Sequence, residues 1–132
     1  MTTEIRSKDG KTLFALLLDL SDISEGTLPT TDPSWSLQIL MMKRRRGHVV
    51  GKHMHKKILK TTKQPQEALV VVKGALEARM FDRKGQLVGK TNVGAGQCLL
   101  ILDGAHEIEM KKDTLAYAFK DGPHIKEDKI LL

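Results

Sequence analysis

Short apolar runs recur at fairly even spacing along this 132-residue chain, divided by glycine-bearing turns, and no stretch carries a long amphipathic-helix period. The runs cover residues 12–20, 35–42, 48–55, 66–72, 75–81, 86–91, 98–102, 106–110 and 114–119. Periodicity leaves 12–20 open between a buried strand and a short helix; Gly10 before it and the loop-like stretch after it favour a strand. Asp82-Arg83-Lys84-Gly85 and Asp103-Gly104 are turn signals that join neighbouring strands. Eight or nine short strands with such turns specify an all-β sandwich or barrel. Residues 1–10 read as a polar, frayed end, and 56–65 as a basic loop.

A chain of this length forms one domain with a core that needs no staples. The single cysteine, Cys98, rules out an internal disulfide framework and favours a reducing compartment. In its apolar strand it is a small hydrophobe rather than a nucleophile. The apolar run at 13–18 is too short to span a bilayer and lacks the cleavage pattern of a secretory signal, so a cytoplasmic protein without membrane attachment is expected. The net charge of +6 is unevenly placed: nine Lys or Arg and no acid lie between Lys43 and Lys63. Such a zone either keeps a loop solvated or attracts an anionic ligand. Nucleic acid is the weaker candidate, because no aromatic side chain stands between Lys43 and Lys63 to stack on bases.

The chemistry concentrates between Gly47 and Gly74. Five residues after Gly47 comes His53, then His55, and Glu67 lies six residues before Gly74. In a strand His53 and His55 point to one side. Two imidazoles and a carboxylate converging there would make a divalent-metal site. A second constellation follows, with Gly96, five residues, and Leu102-Asp103-Gly104-Ala105-His106.

Together the two stretches resemble the motifs of the cupin family of small jelly-roll barrels. Gly47, His53, His55, Glu67 and Gly74 match the first motif, and Gly96, Gly104 and His106 the second. The chain departs from the pattern in the eleven-residue gap between His55 and Glu67, in Leu102 where the family has Pro, and in Met110 where it has Asn. The resemblance implies a jelly-roll β-barrel (a double-stranded β-helix) over 37–120, preceded by an N-terminal strand or arm at 1–36 and followed by a tail at 121–132. It also implies that His53, His55, Glu67 and His106 bind one divalent transition ion, such as iron, manganese, nickel, zinc or copper. Ser36-Leu37-Gln38, the run from Gln66 to Gly74, and Lys120-Asp121-Gly122-Pro123 are similar to a narrower group of single-barrel cupins found with bacterial surface-sugar biosynthesis. That likeness implies a small anionic metabolite, a nucleotide sugar or other phosphorylated sugar. The function expected is a metal-dependent enzyme, isomerase- or epimerase-like ahead of oxygenase-like; a non-catalytic metal- or sugar-binding module is the alternative. Lys52 and Lys57 are candidate contacts to the anion, and Tyr117 is a candidate ligand-binding or acid residue. Small barrels of this kind pair, so a homodimer is expected, with the run at 13–18 as an edge or exchanged strand.

Overall fold

The structure is a computed structural model that describes residues 2–126 and 128–132. Among the described residues ten strands form, in chain order: β1 Thr3–Arg6, β2 Leu13–Asp19, β3 Gly26–Pro29, β4 Leu40–Lys43, β5 Glu67–Lys73, β6 Ala75–Phe81, β7 Leu87–Gly94, β8 Gln97–Ile101, β9 Ala105–Met110 and β10 Leu115–Lys120. The all-β expectation is met, and the one helical piece among the described residues is a 3-10 turn at Leu20–Asp22.

The strands make three antiparallel sheets. The largest runs β1-β2-β8-β5-β10, the second β7-β6-β9, and β3 pairs with β4 alone. Among the described residues none of the three closes on itself. Alternation explains how the two large sheets face each other. Ala15, Val71, Leu99 and Ile101 on one meet Leu76, Ala78, Met80 and Val93 on the other in a single core. Each large side chain sealed here contributes about 1.5–3 kcal/mol relative to exposure.

The five-stranded sheet is apolar on its outer face too. Leu16, Ala68, Leu100 and Leu102 are buried there under Trp35, Leu37 and Ile39, and Leu18 under Ile23 and Met41. The covering chain is pinned by Gln66, whose Oε1 accepts from the Leu37 backbone amide at 3.0 Å while its own backbone N–H donates to Asp121 Oδ1 at 2.9 Å. Gln64 Nε2 donates to the Leu102 carbonyl, and Ser36 Oγ donates to the Gln64 carbonyl.

Three sequence expectations need correction. The N-terminal residues 3–6 are ordered as β1, because β2 offers an edge and Ile5 reaches the core. The run at 13–18 is no edge strand: β2 lies between β1 and β8. The stretch 48–55 is no strand; residues 44–66 hold no regular element, and 42–65 are exposed throughout. Strands are held by pairing and burial rather than by pattern alone. Here eight cations stand without an acid among them, and the segment joins none of the three sheets.

Candidate metal centre

Glu67 opens β5 and His106 is the second residue of β9, so the two stand on opposite sheets. Period-two alternation places Glu67 on the inner face with Leu69 and Val71, which pack into the core. His106 lies opposite Met80 of β6, on the face that also carries the core-packed Ile108. The side chains meet at the mouth of the sandwich, with His106 Nε2 3.5 Å from Glu67 Oε2. They are 33% and 21% exposed, shielded yet open to a small ligand.

Backbone geometry aims His106. The Asp103-Gly104 turn before β9 has Gly104 at φ +72°, and a Cβ there would strike the Phe81 carbonyl oxygen and stand 2.8 Å from the Phe14 ring. Gly74, at φ +95°, is packed as tightly against Asp113 and Thr114 between β5 and β6. Two motif glycines are thus required by close approach, whereas a Cβ at Gly47 or Gly96 would meet open space.

The His106 imidazole holds the Glu67 carboxyl below its ordinary value, with Lys120 and Lys129 adding to the pull against the cost of burial. Lys120 is Glu67's cross-strand partner on β10. Sequence reading missed it as a site residue; its signal was its place at the end of the last strand run, just before Asp121-Gly122-Pro123. Gln66 and Gln64 are both engaged as tethers, so Glu67 is the side chain that reaches His106.

The other expected ligands stand elsewhere. His53 and His55 lie on the exposed segment, with their rings edge-on at 5.3 Å and His53 Nδ1 2.8 Å from the Gly51 carbonyl oxygen. Lys52 and Lys57 are on the same segment, fully at the surface. Tyr117 projects from the outer face of β10, opposite Val70 and beside Phe119, and so away from Glu67 and His106. Among the described residues no three His, Cys, Asp or Glu side chains gather as a metal cluster. Cys98 is inert as a nucleophile, since burial pushes its thiol up to about 11.

The pair nevertheless has the spacing of two donors to one ion. Ligands about 2.1 Å from a metal at a tetrahedral angle stand roughly 3.4 Å apart, close to the 3.5 Å found between Nε2 and Oε2.

No protein-family model, curated protein or solved structure matches this chain. Its reading therefore rests on its own residues. Among the described residues no helix is long and apolar enough to cross a membrane.

Proposed function

We propose that this is a cytoplasmic metal-binding protein of the cupin jelly-roll type, acting on a small anionic metabolite such as a phosphorylated or nucleotide sugar. The observation that carries the reading is the approach of Glu67 and His106 from opposite sheets at a ligand-like separation. An imidazole and a carboxylate at a half-shielded mouth supply two donors, and His53 and His55 would supply two more with their segment seated over such a mouth, whether of the same chain or of a second copy. That set suits a first-row divalent ion with positions left for ligand, and the ion would supply Lewis-acid polarisation of a carbonyl or hydroxyl. Lys120 beside Glu67, with Lys52 and Lys57 on the segment, would draw the anion in.

A non-catalytic metal- or sugar-binding module is the second reading. One observation favours it: Tyr117, the acid that isomerase chemistry would call on, projects from the face opposite Glu67.

Elemental analysis of protein purified without an affinity tag, beside His106→Ala, tests the metal reading. Near-stoichiometric metal in the parent and none in the folded variant is the expected result. A parent that takes up no added iron, manganese, nickel, copper or zinc would sink it.

A further inference from the structure

The two large sheets are unequal, five strands against three, and the shortfall falls on one side. β9 is the last strand of the smaller sheet and faces β5 through His106 and Glu67; β10 lies one strand beyond β5. On the inner face of β10, Ala116 and Ala118 sit opposite Val71 and Leu69. Their neighbours on β5 pack into the core, yet all six residues of β10 are exposed. No strand of the smaller sheet stands over them. β9 is the free edge of the smaller sheet on this side.

The chain also carries a strand's worth of unpaired backbone. Residues 42–65 are exposed throughout. Among the described residues one backbone–backbone hydrogen bond forms within 44–65, from the His48 amide to the Arg45 carbonyl. Apolar side chains stand in solvent along it: Val49, Val50 and Ile58, with Met54 91% and Leu59 94% exposed. In extended form Val49, His53, His55, Lys57 and Leu59 share one face, and Val50, Met54 and Ile58 the other.

We infer that this arm is the missing strand of a second copy. Residues 48–59 of one chain add to the free edge of β9 in its partner, cover Ala116 and Ala118 of β10, and receive the partner's arm in return, making a two-fold exchanged dimer. Several features point to another copy as the occupant. The arm is held at both roots, by β3–β4 pairing through Lys43 and by the Gln64 tether to Leu102. Beyond the Arg44 and Arg45 contacts to Thr27 and Glu25 the segment is exposed, its own β9 and β10 edges are left open, and Lys52, Lys56 and Lys57 give 48–59 one sign of charge. Glu107 and Glu109 along β9 are already paired with Arg79, and Glu109 with Lys111 as well, so backbone pairing rather than charge would seat the arm. Reciprocal seating covers two arms and two β10 strands, on the order of the 1,200–2,000 Å² that a stable interface buries. Exchange would also bring His53 and His55 of one chain to Glu67 and His106 of the other. That last step rests on the metal reading above; the exchange itself does not.

Sedimentation velocity on the parent, and on a variant with 48–59 replaced by a Gly/Ser linker, reads the exchange without reference to metal. The parent should have the mass of two 14.7 kDa chains and the variant that of one, with its β-sheet circular dichroism retained. Should the linker variant fail to fold, Ala118→Arg on exposed β10 should give a folded monomer instead. A monomeric parent at tens of micromolar, or a folded variant that stays dimeric, would overturn the inference. Co-refolding His53→Ala/His55→Ala with Glu67→Ala/His106→Ala then distinguishes exchange from closure within one chain. In an exchanged pair the mixed dimer regains one complete metal site, while closure within a chain regains none and overturns the exchange. If the parent takes up no metal, the masses still decide, and only the metal reading fails.

Discussion

Glu67 Oε2 and His106 Nε2 stand 3.5 Å apart although 38 residues of chain separate them, and they join the rims of two sheets. In metal-free protein this contact sets how Glu67 titrates. Its folded pKa is lowered, first by His106, so the contact's contribution to stability is complete above the ordinary value of 4.5 and is lost as pH falls through the lowered folded value. Carboxyl carbon NMR should find Glu67 titrating below 4.5 in the parent and closer to it in His106→Ala. An unchanged midpoint in the variant would show that the lysines alone set it.

Gly104→Ala should be among the most damaging single substitutions outside the core. The added methyl meets a backbone oxygen of Phe81 and the Phe14 ring, and the backbone is already in the left-handed region. A loss of at least ~2 kcal/mol is expected. Gly96→Ala has comparable backbone strain, at φ +82°, but meets open space and should cost clearly less. Urea denaturation of the two variants side by side checks the order; equal losses would mean that packing at Gly104 does not matter.

Gln66→Leu keeps the side chain's approximate size while removing its carbonyl oxygen. The Leu37 amide then loses its acceptor in a part-buried setting, at about 1–3 kcal/mol. Because the same chain covers Leu100 and Ala68, amide exchange should quicken at 35–39 before it quickens in β8. Uniform acceleration across the sheet would argue against a local tether.

Much of the strand layout was legible. Residues 75–81 form β6 with the bounds expected from alternation, because Leu76, Ala78 and Met80 face the core between half-buried neighbours. The turns before β7 and β9 followed from Asp-Gly chemistry that holds locally in any context. The motif resemblance had named Glu67 and His106 together, and their side chains do approach to 3.5 Å. The pattern failed at 48–55, where alternating residues and two histidines suggested a strand that is not formed. It failed again at Tyr117, whose face depends on its register with Val70.

The sequence by itself determined an all-β chain, most of the strands from β5 onward, its glycine turns and the uneven placing of its charge. These follow from local sterics and from period-two burial, which each segment carries within itself. Only the tertiary structure decided which strands became edges, that β2 lies inside its sheet, and that Glu67 faces His106 while His53 and His55 stand apart. Pairing and facing are relations between distant segments. Their energy comes from surface buried jointly, which no single stretch of sequence contains.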